Sequence, residues 1–142
     1  MYDQTTLVAE PEITLPRSTQ FQVDVIVLEG SEGYDPVLSC LEPPPGVKVS
    51  EDSIAFAPGT YTVDFVLQTK GFAFLDPAIT PSSNQAARMG ISAVSTTLAS
   101  LSVQNCLPAG FRPEIYASFF WMQGPQNSLI VHDPTLIYNP PD

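Results

Sequence analysis

The chain has 142 residues, of which 44% are hydrophobic and 14% charged, a balance that excludes the charge-rich, apolar-poor kind of disorder. This length predicts a single domain over residues 1–142, since domains most often contain roughly 100–150 residues. Five basic residues against fifteen acidic ones give a net charge of −10, and the basic residues are too scattered to bind nucleic acid or an anionic membrane surface.

The first residues have neither the basic start nor the apolar stretch of a secretion signal. Nowhere does the chain contain the run of about 18 apolar residues that a membrane-spanning helix needs. We therefore expect a cytoplasmic protein that does not insert into a membrane. A mature fragment of a secreted precursor would have the same appearance.

Short segments of strand composition follow one another between fifteen prolines, which would interrupt any long helix. The clearest are residues 21–29, FQVDVIVLE, and 60–69, TYTVDFVLQT. Apolar residues alternate along both, which places one set on a single face of a sheet. The other candidate strands, in chain order, are TTLVAE near the start, 36–40, 47–50, 53–57, 72–79, 97–106, 115–123, 129–132 and 135–138.

Turn signals separate these segments, as in EPPPGV, APGT and QGPQN. Many short strands divided by turns are typical of an all-β domain, and we predict an antiparallel two-sheet β-sandwich. Residues 82–89 predict one short helical turn, SNQAARM, capped by Ser82 or Ser83 and ended by Gly90. The β-branched, Ser- and Thr-rich residues after it favour a strand.

An acidic segment at residues 28–36, LEGSEGYDP, is the candidate metal site. Glu29, Glu32 and Asp35 lie beside two glycines, and flexible loops rich in oxygen donors are what calcium binds. The segment lacks the D-x-[DN]-x-[DN]-G pattern of an EF-hand, and a solvated hairpin loop explains it more simply. The prediction therefore includes no metal and no cofactor.

The two cysteines, Cys40 and Cys106, leave two interpretations open. They could form one disulfide in an oxidising compartment, or serve as small buried hydrophobic residues in a reducing one. Structural zinc usually takes four Cys or His ligands, and the chain has three such residues. Blue copper needs two His, and His132 is the only one here.

The segment SFFWMQ concentrates aromatic residues. Strand alternation puts Phe119 and Trp121 on one face and Phe120 and Met122 on the other. One face must be core. The second, if apolar, must be covered by the domain or by a partner chain. A carbohydrate platform is the third interpretation, built from Trp121 with Tyr34, Tyr116 or Tyr138.

His132 stands in the segment LIVHDPTLIY, beside one of three Asp-Pro pairs. Proline cannot donate to a strand ladder, so the segment predicts an edge strand with a kink. The alternative is a general-base pair of His132 and Asp133. Adjacent strand residues point to opposite faces, however, and no G-x-S-x-G elbow supplies a nucleophile. We predict no catalytic residue.

Two segments carry a resemblance: GTYTVDFVLQTKGFAFLDPAI at 59–79 and SLIVHDPTLIYNPP at 128–141. They resemble a group of small bacterial all-β proteins of unknown function that end on an aliphatic strand followed by Asp-Pro-x-aliphatic-aliphatic-Asn. More distantly, the chain is similar to bacterial inclusion-body proteins of the PixA/AidA type. The resemblance implies an immunoglobulin-like sandwich and no known activity. The immunoglobulin Cys…Trp…Cys order is absent, because Trp121 follows both cysteines.

Together these patterns predict a non-catalytic binding or assembly module that acts through a sheet face or an edge strand. We expect a protein partner, most simply a second copy in a homo-oligomer. The predicted interface residues are Phe120, Trp121, Leu136 and Tyr138. A module binding carbohydrate or calcium is the first alternative, and an enzyme using His132 and Asp133 is the second.

Overall fold

The computed structural model describes residues 18–31, 33–81, 89–93 and 95–142. These residues form a short 3₁₀ turn at Pro125–Asn127 and eleven strands. The strands are β1 (Thr19–Gly30), β2 (Gly33–Ser39), β3 (Val47–Val49), β4 (Ser53–Phe56), β5 (Gly59–Leu67), β6 (Ala73–Pro81), β7 (Met89–Ala93), β8 (Leu98–Asn105), β9 (Glu114–Gln123), β10 (Leu129–His132) and β11 (Thr135–Tyr138).

The predicted strands from residue 21 onward are present. The segment TTLVAE lies outside the described residues, as do residues 82–88 of the predicted helical turn; Met89 and Gly90 belong to β7. Within the described ranges, no helix is long and apolar enough to cross a membrane.

Two sheets make up the fold, which confirms the predicted all-β sandwich. The first has the order β2-β1-β5-β8-β7; the second joins β10, β9, β11, β4 and β3, with β6 also paired to β9. The prediction of purely antiparallel sheets was wrong, because β1 pairs with β5 in parallel and so does β11 with β4. The immunoglobulin-like topology stays a prediction.

The core lies between the sheets, where alternate residues of both pack together. Val23, Val25, Val63 and Phe65 of the first sheet are fully buried. The Phe65 ring meets that of Phe120 in the second sheet edge to face, with centroids 4.6 Å apart. The period-two pattern of the sequence therefore identified the buried faces of β1 and β5.

A buried amide joins the two sheets at one end. Asn105, at the end of β8, is 2% exposed. Its side-chain nitrogen donates to the carbonyls of Phe56 (2.9 Å) and Asn139 (2.8 Å), and its oxygen accepts from the Leu107 N–H at 3.1 Å. The Asn105 side chain thus makes three hydrogen bonds, two as donor and one as acceptor, and all three are to backbone groups.

Strands β10 and β11 form one interrupted strand along β9. His132 pairs with Phe120 and Thr135 with Ala117, so both strands keep the same register across the break at Asp133 and Pro134. Within the break, the Pro134 carbonyl accepts from the Ser118 N–H at 3.2 Å. The strand is interrupted at Asp133 and Pro134, and the predicted edge position is wrong for β11, which lies between β9 and β4.

Candidate interaction face

The outward-facing side of the first sheet is largely polar. Asp64 accepts hydrogen bonds from Gln20 (2.7 Å) and Ser100 (2.6 Å), while Asp24 accepts from Gln22 and Gln68, both at 2.8 Å. The bonds of Asp64 to Gln20 and Ser100 connect β5 to β1 and β8 on their solvent side. Such a surface is well suited to face water.

The outward-facing side of the second sheet is apolar. We call it the apolar face, and it consists of Ile115, Ala117, Phe119, Trp121, Leu129, Val131 and Ile137. Ile115, Leu129 and Val131 are 68%, 62% and 44% exposed. The strand register brings the set together, since Trp121 lies opposite Val131 and Ile115 opposite Ile137. Contiguous apolar patches of several hundred Å² mark interaction sites.

Two side-chain donors, one in the apolar face and one beside it, are bonded inside the chain. The Trp121 indole N–H donates to the Thr80 hydroxyl at 2.9 Å, and the Gln123 amide donates to the Asn127 side-chain oxygen at 2.9 Å. The Phe119 and Trp121 rings stand 6.3 Å apart. Covering these residues with an apolar surface would leave neither donor without its partner.

Charge is confined to the border of the face. Among the outward-facing positions of β3, β4, β9, β10 and β11, Lys48 on β3 is the charged one. Asp133 is exposed in the break between β10 and β11. An apolar centre with charges at its rim is the usual anatomy of a protein–protein contact.

Most of the predicted interface residues lie in the core instead. Phe120, Leu136 and Tyr138 are 0% exposed, because alternation turns them toward the first sheet. They present no surface to a partner, and this corrects their assignment to an interface. Trp121 is the exception, since it belongs to the apolar face.

Sequence reasoning missed Ile115, Leu129, Val131 and Ile137. The signal was available in β9, whose outward positions 115, 117, 119 and 121 are as apolar as its inward ones. A strand that is apolar on both of its sides over several residues, as β9 is from Phe119 to Met122, indicates that both faces are covered.

His132 is half-buried against the Phe120 ring, with centroids 6.5 Å apart. Its Nε2 atom is buried and has no hydrogen-bond partner in the described part of the chain. Burial lowers the pKa of the imidazole below its ordinary value, while the carboxylates of Asp133, Asp35 and Asp52 act in the opposite direction. This environment favours the neutral ring, and an orphaned buried Nε2 is not positioned to move a proton to a substrate.

The calcium candidates are not brought together. Glu29 pairs with Tyr34 and Asp35 with Leu28, so the two carboxylates stand on opposite faces of the β1–β2 hairpin. Glu32 lies outside the described residues. No cluster of three or more His, Cys, Asp or Glu in the described ranges could hold a metal ion.

Neither cysteine is in a disulfide. Cys40, half-buried after β2, fits the small-hydrophobe interpretation better than Cys106, which is exposed after β8. Burial is the main cause that raises the pKa of the Cys40 thiol.

Comparison with known proteins identifies a distant likeness among solved structures. No protein-family model matches the chain, and no curated protein sequence does. Among solved structures, the chain is similar to the inclusion body protein PixA from Burkholderia cenocepacia J2315, with 11% identity and a TM-score of 0.34 over 90% of this chain and 99% of that chain. This agrees with the distant PixA resemblance noted in the sequence, but a likeness this weak bears on neither activity nor partners.

Proposed function

We propose that this protein is a non-catalytic binding or assembly module whose contact surface is the apolar face. The main observation in support is the difference in polarity between the outward-facing surfaces of the two sheets. One carries hydrogen-bonded Gln, Asp and Ser side chains, with aliphatic residues at one end, Leu28 among them, and the other exposes Ile115, Leu129 and Val131. Removing such apolar area from water is worth about 25 cal/mol per Å², which drives association.

The chemistry of the face favours a protein partner. It is broad and follows the surface of a sheet, whereas small-molecule sites are usually concave. The Trp121 N–H donates to the Thr80 hydroxyl of the same chain. Self-association is included in this proposal, as is a contact with a different protein.

Photo-crosslinking in living cells tests the proposal. A photoreactive residue replaces Ile115 in the full chain, and the same residue replaces Leu28 as the control. Leu28 is 49% exposed on the outward side of the first sheet, against 68% for Ile115, so it serves as an exposed aliphatic strand residue on the other side of the sandwich. We expect covalent adducts with protein from position 115 and none above background from position 28.

A second substitution makes the test specific. Ile137→Lys, directly opposite the probe on β11, should abolish the position-115 adduct, because an unpaired charge is costly to bury. Equal labelling at both positions, or none at 115, would refute the proposed function.

A further inference from the structure

We infer that β10 is a pH-sensitive latch: protonation of His132 releases this strand from the edge of the sandwich while the rest of the fold stays intact. The latch is independent of the proposed function, because it involves the chain alone. It rests on the burial of one imidazole nitrogen, on the few interactions that hold β10, and on the irregular backbone at both ends of the strand.

The imidazole of His132 has one nitrogen in a place that suits only the neutral ring. The ring ends β10 and is half-buried against Phe120 of β9, at an interplanar angle of 75°. Its Nε2 atom is buried without a hydrogen-bond partner among the described residues. With the proton on Nδ1, the neutral ring presents only a lone pair there. Protonation adds a second N–H, which finds no acceptor while β10 stays in place.

Carboxylates from three neighbouring elements act on the ring, whereas β9 presents the uncharged Phe120 to it. Asp133 belongs to the break after β10, Asp35 to β2 of the first sheet, and Asp52 to the turn between β3 and β4. Each carboxylate raises the pKa of the imidazole, but burial lowers it more. Once the ring leaves its buried position, both of its N–H groups can donate to carboxylates or water. The protonated ring therefore favours a displaced β10.

Few interactions hold β10 in the sandwich. It is four residues long and, among the described strands, pairs with β9 alone. Of its side chains, Ile130 is buried, whereas Leu129 and Val131 are 62% and 44% exposed. Strand β9 keeps β6 and β11 as neighbours when β10 leaves. Because so little buried area is lost, β10 can open at a lower free energy than the core and without it.

Irregular backbone at both ends allows β10 to move as a unit. Before it, the turn at Pro125–Asn127 holds Gln126 at a φ of 59°, a left-handed conformation that is uncommon for residues other than glycine. After it, Asp133 and Pro134 interrupt the strand, and β11 then resumes the pairing with β9. The strand can therefore be displaced between these two points while β9 and β11 remain paired.

Opening changes two surfaces of the molecule. It uncovers Phe120 and Ile130 at the edge of the core, and it removes Leu129 and Val131 from the apolar face. Above the ordinary pKa of 6.5, the imidazole is neutral and β10 is in place. As the pH falls below this value, the open population rises, because the displaced ring binds the proton more readily than the buried one. The composition of the apolar face thus depends on pH.

Amide hydrogen exchange of the purified full chain, followed by NMR, tests the latch. Protection is calculated relative to the intrinsic exchange rate at each pH, and amides of β5, between β1 and β8, report global opening. The β10 amides should be less protected than those of β5 and insensitive to dilute urea, since local opening exposes little surface. From pH 6.5 to 5.5 their protection should fall by up to about tenfold, the limit for one bound proton.

Two variants that cannot be protonated at this position provide the controls. In His132→Phe and His132→Asn, the protection of β10 should stay constant over the same pH range. The same pH dependence in wild type and in either variant would overturn the inference. The urea measurement needs no variant: β10 amides that respond to urea as strongly as those of β5 would show that the strand opens only with the whole fold, and no latch would exist.

Discussion

At the scale of single residues, Asn105 determines how the two sheets meet at one end. It is the inward residue that follows Ala99, Leu101 and Val103 in the alternation of β8. The alternation thus places a polar side chain in the core, and such a residue must satisfy its hydrogen bonds there. What the sequence could not specify is which carbonyls it meets, since Phe56 and Asn139 are distant along the chain.

Asn105→Ala should lower the free energy of unfolding by about 2–4 kcal/mol, because three hydrogen bonds are lost and buried backbone groups are left unpaired. Urea denaturation followed by circular dichroism measures it. Gln104→Ala, at the exposed neighbouring position, should change the stability by less than about 0.5 kcal/mol. Equal effects from the two substitutions would show that the amide does not link the sheets.

His132 should make stability depend on pH. Burial lowers its pKa in the folded protein below the ordinary value of 6.5. The unfolded chain therefore binds the proton more readily, and stability is complete above about pH 6.5 and declines as pH falls through the folded pKa.

Thermal melts of wild type and His132→Asn between about pH 7.5 and 5.5 check this dependence, a window above the ordinary carboxylate pKa values. The wild-type Tm should decrease toward the acid end more steeply than that of the variant. Parallel curves would mean that other groups cause the dependence.

At the scale of elements, β9 has one apolar side in the core and another on the outer surface of the second sheet. Its inward residues Phe120 and Met122 are completely buried, while outward Ile115 is 68% exposed. Local alternation separated the two faces but did not say which one is buried, and Phe120 was predicted to lie in an interface. It did not show that β11 is an interior strand, because that depends on its pairing with β4, which is far away in sequence.

Phe120→Ala should cost about 3–5 kcal/mol of unfolding free energy, since it leaves a cavity against Phe65. Ile115→Ala, on the same strand, should change monomer stability by less than about 0.5 kcal/mol. Chemical denaturation distinguishes the two substitutions. It is carried out at high dilution, so that the free energy of unfolding of the monomer is measured. A large loss from Ile115→Ala would show that its side chain contributes to the fold itself.

At the scale of the whole molecule, the sequence predicted the sandwich but not its strand directions. Period-two alternation is the same for a parallel and an antiparallel neighbour. The chain leaves β2 for β3 and β4 in the other sheet before it returns as β5, and β5 then runs parallel to β1. The parallel direction of β5 relative to β1 follows from that crossing between the sheets, and no local turn signal in the sequence encodes the crossing.

The position of β11 also has a consequence for biosynthesis. Residues 53–56 of β4 pair with residues 135–138 of β11, and β3 pairs only with β4 among the strands described. During translation, β3 and β4 therefore cannot be added to the sheet that contains β9 until β11, which pairs with both β4 and β9, has emerged from the ribosome. Non-local pairing of this kind slows folding and leaves apolar strands temporarily exposed. The nascent chain should thus be most prone to aggregation just before β11 is complete.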